Sequence, residues 1–491
     1  MLYTSTRDKS IKVSAAQAIA QGISEEGGLF VPCELPKFSI DKISSMTSMS
    51  YIERAKTVLK EFLTDFTAEE LDYCVSGAYA AEKFSSPAIA PTVNIDGNKN
   101  ILELWHGPTC AFKDMALQLL PYLMTVSAHK TADGKTIVIL VATSGDTGKA
   151  ALEGFKDVDK TKILVFYPED GVSPMQKLQM LTQEGANVSV CAIKGNFDDA
   201  QSAVKSIFTN NEIKNKLAKK NMMFSSANSI NWGRLVPQIV YYFSTYCDLI
   251  NMGKINAGDK INVVVPTGNF GNILAGYYAK KMGLPIKKLI CASNSNNVLT
   301  DFLKTGTYDR NRAFYTTTSP SMDILVSSNL ERLLYHVTGS DAEVAGLMKS
   351  LSETGSYTVR PETLAAIQES FGCGWSSEDE VAGEIRARYE QDGYLCDTHT
   401  AVAFHVAAQK KRSGVPMVVL STASPFKFPR SVLEALGRTA PENDFEAMQQ
   451  LEAATAHAAP ASLAALRSKP ERFDTVIAPE QIAEVALGYQ A

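Results

Sequence analysis

Residues 260–272 read KINVVVPTGNFGN, and this stretch decides the fold. Its first part, residues 260–265, is a nearly continuous apolar run, which is typical of a strand buried on both faces. Residues 266–272 contain two glycines and suit a short loop, and residues 273–282 have the apolar spacing of a helix. A strand, a glycine-containing loop and a helix in this order predict one unit of a parallel sheet that is covered by helices.

The same order of elements recurs along the chain. Residues 136–142 (TIVILVA) have a second buried-strand pattern, and residues 144–148 (SGDTG) suit a turn into a helix. Further strands are predicted at residues 162–167, 187–193, 289–293 and 416–420. Parallel sheets bind ligands at the carboxyl ends of their strands. We therefore expect the ligand site where three loops follow such strands, at residues 143–148, 267–272 and 421–425.

The composition excludes several classes of protein. Of the 491 residues, 45% are hydrophobic and 21% are charged, as in ordinary soluble domains, and the net charge of −5 offers no basic field for nucleic acid. The longest apolar runs, such as residues 137–142, are far shorter than the roughly 20 residues that cross a bilayer. Residues 1–10 lack the apolar core of a signal peptide, so we expect a cytoplasmic protein without membrane or nucleic-acid partners.

The cysteines and histidines do not form a motif. Eight cysteines are scattered without a CxxC pair, which predicts reduced and mostly buried thiols. His399 and His405 lie six residues apart, on different faces of a helix, and neither HExxH nor HxxEH occurs. We therefore expect no metal site. GxSxG, the usual signature of a serine hydrolase, is also absent.

The loop at residues 267–272 can bind an anion. Gly268 and Gly271 allow backbone N–H groups to approach a ligand closely, and the helix that follows adds the partial positive charge of its N-terminus. Asn269 and Asn272 add side-chain amides without adding charge. The loop matches neither a Walker A motif nor GxGxxG, and taken alone it would suit a tight turn without a ligand.

Lys113 is the candidate for covalent chemistry. It lies in residues 106–115 (HGPTCAFKDM) at the start of an apolar helix, where the helix dipole disfavours a cation. A lysine in such a place suits a chemical role, because its amine can form a Schiff base with a carbonyl and then act as a base. Taken alone, it would also suit a solvated lysine at a helix terminus.

Two further loops complete the predicted site. Residues 144–148 offer hydroxyl and backbone donors that suit a carboxylate, and residues 421–424 (STAS) offer hydroxyls without charge. Each loop alone would suit a helix N-cap. An amine, a phosphate-binding loop, a carboxylate-binding loop and a neutral hydroxyl in one cleft together predict a site for pyridoxal phosphate, whose aldehyde, phosphate and ring nitrogen need such partners.

The sequence resembles the threonine synthase family, in the longer form found in fungi and many bacteria. A single matching motif would be weak support, but nine segments occur in the order of the family. They are YTSTR (3–7), ELWHGPTCAFKD (103–114), ATSGDTG (142–148), NSINWGR (228–234), PTGNFGN (266–272), SNSNNVLTDFL (293–303), PSMD (320–323), LERLL (330–334) and STASPFKFP (421–429).

This resemblance implies an α/β fold of type II, like that of the tryptophan synthase beta subunit, with parallel sheets, flanking helices and an added N-terminal domain. We expect the N-terminal domain at residues 1–95 and a small α/β domain at residues 136–235. A large cofactor-binding domain is expected at residues 96–135 and 236–491. A monomer or a homodimer is expected.

The resemblance also implies a reaction, the pyridoxal-phosphate-dependent conversion of O-phospho-L-homoserine and water to L-threonine and phosphate. Lys113 would bind the aldehyde of the cofactor covalently, and Thr422 would bind its ring nitrogen. The cofactor phosphate is assigned to Gly268, Asn269, Phe270, Gly271 and Asn272. The side of the cleft that receives the substrate carboxylate and the cofactor hydroxyl is assigned to Ser144, Asp146 and Thr147.

The phosphate of the substrate needs cationic or N–H partners of its own. Arg234, in NSINWGR, is the candidate, and Lys149 is the second choice. Arg234 would equally suit a structural ion pair. The cleft must also exclude water until the phosphate has left, so closure of a lid or domain is expected.

Two alternatives remain open from the sequence. A serine or threonine dehydratase, or a cysteine synthase, would share the lysine and the phosphate loop but would not need the N-terminal domain or NSINWGR. A non-catalytic relative that only binds a ligand would not need Lys113.

Overall fold

The computed structural model describes residues 1–95, 97, 99–131, 134–143, 145–170, 172–195, 197–410 and 414–488. Ser144, one of the predicted substrate-binding residues, lies outside these ranges. Within them, none of the helices combines the length and the apolar character that crossing a membrane requires.

The strands of the described residues lie in four sheets, two large and two of only two strands. Their bounds are β1 (Tyr3–Ser5), β2 (Phe30–Pro32), β3 (Thr92–Ile95), β4 (Lys99–Glu103), β5 (Thr136–Ala142), β6 (Thr161–Pro168), β7 (Val188–Ile193), β8 (Met222–Ser226), β9 (Ile261–Pro266), β10 (Ile286–Ser293), β11 (Thr307–Asp309), β12 (Ser356–Thr358), β13 (Phe371–Trp375), β14 (Met417–Ser421) and β15 (Val476–Ile477).

The helices surround the two large sheets. Their bounds are α1 (Ala15–Gln21), α2 (Ile40–Ser45), α3 (Tyr51–Leu59), α4 (Ala68–Ala78), α5 (Asp114–Leu117), α6 (Leu120–Thr131), α7 (Asp146–Phe155), α8 (Pro174–Leu181), α9 (Phe197–Thr209), α10 (Asn211–Ala218), α11 (Trp232–Asn251), α12 (Gly271–Met282), α13 (Val298–Thr305), α14 (Leu330–Thr338), α15 (Asp341–Thr354), α16 (Pro361–Ser370), α17 (Glu378–Asp392), α18 (Thr398–Gln409), α19 (Pro429–Ala435), α20 (Asp444–Thr455), α21 (Ala461–Ala464) and α22 (Ile482–Gly488).

The larger sheet has the strand order β13-β10-β9-β14-β4-β3. Its strands run parallel, except that β3 is antiparallel to β4 at one edge. Strand β9 lies inside the sheet and is buried along its whole length, as its apolar run predicts. The glycine-containing loop therefore begins at the carboxyl end of an inner strand, away from the two edge strands of the sheet.

The smaller sheet has the strand order β15-β7-β6-β5-β8, and every strand pair in it is parallel. Strand β5 has the predicted bounds, β6 is one residue longer than predicted at each end, and β7 begins one residue later than predicted. Two largely parallel sheets with helices around them confirm the predicted α/β fold of type II with an added N-terminal part.

Two short strands pair across the predicted domain bounds. Strand β3 lies in the range assigned to the N-terminal domain but pairs with β4 of the larger sheet. Strand β15 lies in the range assigned to the large domain but pairs with β7 of the smaller sheet. Both cover the outer edge of a sheet, which would otherwise expose unpaired N–H and C=O groups. Composition alone does not indicate such pairings, so the domain bounds stay a prediction.

The N-terminal residues pack against α11. The ring of Tyr3 lies 5.3 Å from the ring of Trp232, at the start of this helix, and its hydroxyl donates to the carbonyl of Phe62 at 2.8 Å. Arg54 of α3 is buried and pairs with Asp248 of α11 at 2.6 Å. Trp232 begins α11 and Asp248 lies in its last turn, so these contacts hold the largely buried helix at both ends.

Gly154 brings two helices of different sheets into contact. It lies near the end of α7, which follows β5 of the smaller sheet, and it faces α5, which follows Lys113. A Cβ atom on Gly154 would lie only 2.1 Å from the carbonyl oxygen of Leu117 in α5. Only glycine therefore permits this backbone approach.

We expect Gly154→Ala to lower the midpoint of urea unfolding by an amount equivalent to about 2 kcal/mol, because the added methyl group overlaps a backbone carbonyl. Gly383→Ala in α17 is the matched control, since nothing lies within 4 Å of its added Cβ, and it should stabilise the protein by up to about 1 kcal/mol. Circular dichroism would follow both transitions. An equal loss of stability in the two variants would contradict this explanation.

Candidate active site

A cleft lies between the two large sheets, at the carboxyl ends of their strands. The larger sheet supplies the loop after β9 and the residues after β14, and Lys113 lies immediately before α5. The smaller sheet supplies the loop after β5. The described parts of the three loops expected at a ligand site therefore line one cleft, joined by the loop between β8 and α11.

The amine of Lys113 is enclosed in this cleft. Its Nζ lies 3.2 Å from Ser321 Oγ and 3.6 Å from Asp146 Oδ2, and 5.1 Å from the ring centre of Phe112. Burial lowers the pKa of Lys113 to about 8, against the opposing effect of the Asp146 carboxylate. The amine is thus neutral in a sizeable fraction of molecules near neutral pH, as a nucleophile must be.

The turn before Lys113 is held by the neighbouring aspartate. Asp114 is fully buried and accepts hydrogen bonds from the backbone N–H of Thr109 at 2.8 Å and from its hydroxyl at 2.6 Å. Burial raises the pKa of Asp114 to about 6. Gly107 allows this arrangement, because a Cβ atom there would lie 2.5 Å from the Asp114 side chain. The local sequence HGPTCAFKD therefore sets the position of the lysine.

Asp146 is the central anion of the cleft. Its Oδ1 lies 2.6 Å from Nζ of Lys427 and accepts a hydrogen bond of 2.9 Å from the amide of Gln176. Burial alone would raise its pKa, but the ammonium groups of Lys427 and Lys113 outweigh burial and hold the pKa of Asp146 well below its ordinary value. Its partners are two cations, an amide and a hydroxyl of the protein, so its place beside a substrate carboxylate stays a prediction.

The loop after β9 has the features of an anion site. Gly268 is closely packed, because a Cβ atom there would lie 2.7 Å from the carbonyl oxygen of Ser321. Phe270 is buried and has a left-handed backbone (φ 63°) just before α12. This turn places the first residues of α12, including Asn272, at the cleft.

Two amides of this loop have unused hydrogen-bonding atoms. Oδ1 of Asn272 lies 2.7 Å from the hydroxyl of Tyr241 and 2.8 Å from that of Tyr242, which leaves its Nδ2 buried without a partner. Oδ1 of Asn269 is likewise buried without a partner. Of these two atoms only Nδ2 of Asn272 is a donor, and a donor without a partner among the described residues at a helix N-terminus suits a phosphate group. With the amine of Lys113 in the same cleft, the residues fit pyridoxal phosphate.

Arg234 gives the cleft a further positive charge. It lies in the first turn of α11, is 3% exposed, and donates to the carbonyl of Ala227. Its Nε has no hydrogen-bond partner, and no ion pair joins it to a carboxylate of the described residues. Burial lowers the pKa of Arg234 to about 10, so the guanidinium stays charged at neutral pH. The ion-pair alternative for Arg234 is therefore not what the structure shows.

Lys149 does not reach the cleft. It lies one turn further along α7 than Asp146, and its amine pairs with Glu153 at 3.0 Å and contacts the amide oxygen of Gln183. These partners hold the amine beside α8, so the geometry does not support the predicted role in substrate binding. Thr147, in the first turn of α7, does line the cleft.

Thr422, which immediately follows β14, also lines the cleft. Its carbonyl accepts from the backbone N–H of Phe112 at 2.8 Å, which places Thr422 beside the segment that carries Lys113. Its own N–H donates to the hydroxyl of Thr400 at 3.3 Å. The predicted ligand of the cofactor ring is therefore anchored by its backbone next to the lysine.

Four residues of the site were not singled out from the sequence: Ser321, Asp397, His399 and Lys427. Ser321 lies in the segment PSMD and Lys427 lies in STASPFKFP. Both segments resemble the threonine synthase family, and this resemblance is the sequence signal that could have indicated the two residues. His399 had been considered only as a metal ligand. Asp397, just before α18, has the local appearance of an N-cap residue.

Arg332 connects the N-terminal part to the cleft. This fully buried arginine donates from Nε to the carbonyl of Phe30 in β2 at 3.0 Å and from Nη2 to the carbonyl of Ile230 at 2.6 Å. Ile230 follows Asn228 and Ser229, which line the cleft. The N-terminal residues therefore share a hydrogen-bonded contact with the loop that precedes Arg234.

Comparison with known proteins assigns the family. A sequence profile described as Threonine synthase N terminus matches residues 2–79, one described as Pyridoxal-phosphate dependent enzyme matches residues 100–372, and one described as Threonine synthase, C-terminal matches residues 400–486. Threonine synthase from Pseudomonas aeruginosa is 37% identical over 488 residues, which cover 99% of this chain and 97% of that protein.

Two further relatives agree with this assignment. Threonine synthase-like 1 from Pongo abelii is 43% identical over 444 residues, and the match covers 88% of this chain but only 59% of that longer protein. The solved structure of pyridoxal-phosphate-bound threonine synthase from Brucella melitensis superposes with a TM-score of 0.87 at 40% identity, over 99% of both chains. The chain belongs to the threonine synthase family of pyridoxal-phosphate-dependent enzymes.

Proposed function

We propose that this protein converts O-phospho-L-homoserine and water to L-threonine and phosphate, with pyridoxal phosphate as cofactor. The observation that carries the proposal is the pairing, in one cleft, of the amine of Lys113 with an asparagine-containing loop whose Nδ2 donor at Asn272 is unused. Arg234 adds a second anion-binding group, which a substrate with its own phosphate requires.

Three parts of the cleft would hold the cofactor. Lys113 would bind its aldehyde, the loop from Gly268 to Asn272 would bind its phosphate, and the hydroxyl of Thr422 would face its ring nitrogen. When bound, pyridoxal phosphate withdraws electrons from the α carbon of an amino acid and so makes its proton removable. A threonine hydroxyl is neutral and cannot protonate the ring nitrogen as a carboxylic acid could.

Lys113 would move the protons. Once the amino group of the substrate has displaced it, its free amine takes the α proton, because burial keeps the pKa of this amine near 8. Loss of a proton from the β carbon then allows phosphate to leave from the γ carbon. A proton would return to the γ carbon, the hydroxyl of a water molecule would add at the β carbon, and a proton would return to the α carbon to give threonine.

Arg234 would stabilise the leaving phosphate. A guanidinium with an unused Nε donor matches the negative charge that grows on the departing group. Its backbone partner, the carbonyl of Ala227, keeps the side chain in place without neutralising it. Exclusion of water from the buried cleft would strengthen this interaction and protect the reacting carbon atoms until phosphate has gone.

The two alternatives differ from this proposal in their products. A dehydratase-like enzyme would release ammonia and a 2-oxo acid, and a non-catalytic relative would bind pyridoxal phosphate without turnover. The decisive assay incubates the purified protein with O-phospho-L-homoserine and measures threonine and phosphate together. Equal amounts of the two products support the proposal, and phosphate with a 2-oxo acid supports the dehydratase alternative.

The proposal extends to the cellular setting. We place the protein in the cytoplasm, as a monomer or homodimer that acts on a small molecule, without nucleic-acid or membrane partners. The net charge of −5 supports the absence of nucleic-acid binding. Fractionation of cells and light scattering of the purified protein would test location and assembly.

Lys113→Ala should abolish covalent attachment of the cofactor and lower threonine formation by about 1000-fold or more, because the same amine binds the aldehyde and moves the α proton. Borohydride treatment followed by mass spectrometry of peptides would locate the attachment in the wild-type protein. Circular dichroism would verify the fold of the variant. Unchanged phosphate release by Lys113→Ala would contradict the assignment.

Arg234→Gln should raise KM for O-phospho-L-homoserine and lower kcat/KM by about 100-fold, the usual effect of removing one charged partner of a phosphate. Lys149→Gln is the matched control, and its kcat/KM should stay within about threefold of the wild type, since its amine is held beside α8. Steady-state kinetics would compare the two. A larger loss of kcat/KM in Lys149→Gln than in Arg234→Gln would instead assign the substrate phosphate to Lys149.

Attachment of added pyridoxal phosphate to the cofactor-free protein should become faster as pH rises, with a midpoint near the Lys113 pKa of about 8, because only the neutral amine attacks the aldehyde. Lys427→Met should move this midpoint to higher pH, since the positive charge of Lys427 lowers the pKa of Lys113. Lys349→Met, an exposed lysine, should leave it unchanged. The rate is measured by visible absorbance.

A further inference from the structure

The hydroxyl of Ser321 lies between the two charged groups at the centre of the cleft. Nζ of Lys113 donates to Ser321 Oγ at 3.2 Å, and this hydroxyl in turn donates to Asp146 Oδ2 at 3.2 Å. Lys113 and Asp146 are themselves 3.6 Å apart, so the three groups form a closed triangle. Ser321 therefore contacts the amine that the proposed reaction uses.

The backbone of Ser321 is fixed on both sides of its side chain. Its N–H donates to Nε2 of His399 at 3.1 Å, and its carbonyl packs against Gly268, where a Cβ atom would come within 2.7 Å. Because a backbone N–H can only donate, Nε2 of His399 carries no proton in this arrangement. The Ser321 hydroxyl thus has a defined position relative to the phosphate loop.

Asp397 orients His399. Its Oδ2 lies 2.7 Å from Nδ1 of the imidazole, which accordingly carries the ring proton. The other oxygen, Oδ1, accepts from the hydroxyl and the backbone N–H of Thr400, and the same hydroxyl accepts from the N–H of Thr422. One fully buried carboxylate is therefore connected to Ser321 through His399 and to Thr422 through Thr400.

Ser321 is better placed to orient the lysine than to exchange protons with Asp146. The Asp146 carboxylate is already paired with Lys427 at 2.6 Å and accepts from Gln176, so it is a poor proton acceptor. The contacts with Ser321 and Asp146 instead occupy two positions around Nζ of Lys113. A neutral amine held in this way has its lone pair in a fixed direction, which is the condition for rapid attack.

We propose that Ser321 is a positioning residue, held by His399 and Asp397, that directs the lone pair of Lys113. The inference rests on the proposed function only in that Lys113 is the reacting amine. It assigns a role to the Ser321 hydroxyl beside that of Lys113, which the motif at residues 106–115 indicated. It also gives the pair of Asp397 and His399 a role that needs no metal ion.

The test uses the holoenzyme and two matched pairs of variants. Ser321→Ala removes the hydroxyl and Ser321→Thr retains one. His399→Leu removes the acceptor for the Ser321 N–H, whereas the amide oxygen of His399→Gln can replace Nε2. His336→Leu is the structural control, since this half-buried histidine bonds to the hydroxyl of Tyr278 at 2.7 Å and does not line the cleft.

The first readout is the pH titration of the visible absorbance of the bound cofactor, which reports the nitrogen of Lys113. Ser321→Ala should lower the midpoint by about one pH unit, because the hydroxyl accepts a hydrogen bond from the charged nitrogen. His399→Leu should shift it in the same direction. The midpoints of Ser321→Thr and His399→Gln should stay near that of the wild type. His336→Leu should also leave the midpoint unchanged, even if it lowers the thermal stability.

The second readout is steady-state kinetics with O-phospho-L-homoserine. Ser321→Ala should lower kcat about tenfold and change KM by less than about threefold, because orientation of the lysine affects the chemical steps more than binding. Recovery of kcat in Ser321→Thr separates orientation from a general loss of structure.

The two readouts distinguish the inference from the proposed function. If the wild type makes threonine but Ser321→Ala changes neither the midpoint nor kcat, the positioning role is overturned and the proposed function stands. If the wild type makes no threonine and Ser321→Ala still shifts the midpoint while Ser321→Thr does not, the positioning role stands and the substrate assignment fails. An equal shift in His336→Leu would overturn the positioning role.

Discussion

The structure of the cleft depends on one buried carboxylate between two ammonium groups. Asp146 belongs to the first turn of α7, beside the smaller sheet, whereas Lys427 and Lys113 follow strands of the larger sheet. A buried charge without partners would be very unfavourable, so this ion pair holds the two sheets at a defined distance. Burial lowers the pKa of Lys113 most, and the same charges modify it further, because Asp146 favours the ammonium form and Lys427 opposes it. Domain placement and chemical reactivity are thus controlled by the same three side chains.

Local pattern predicts the central strands of the two large sheets. The apolar runs locate β5, β6, β7, β9 and the core of β14 to within about a residue or two, because strands buried on both faces have a strong local signal. The capping box at Thr67 and Glu70 likewise marks the start of α4. Strands β3 and β15 are short edge strands, and their pairing depends on contacts distant in sequence. The assignment of residues 92–95 and 476–477 to a sheet therefore needs the structure.

The site could be predicted only in part for the same reason. Glycines and a lysine at strand-to-helix turns have a recognisable local context, so the loop after β9 and Lys113 were found. The ion pair between Asp146 and Lys427 joins residues far apart in the chain, and the contact of Ser321 with His399 also has no local signature. Lys149 shows the opposite error. It was the second candidate for the phosphate of the substrate, but its amine contacts Gln183 and Glu153 instead of the cleft.

The late position of β15 in the chain has a consequence for biosynthesis. Strand β7 is complete once residue 193 has been made, but residues 476–477, which pair with its last two residues, are made much later. At ribosomal rates of roughly 5–20 residues per second, the outer edge of β7 stays uncovered there for a time on the order of tens of seconds. Open edges of this kind pair readily with other chains. The nascent polypeptide therefore passes through an interval in which chaperones have an exposed strand to protect.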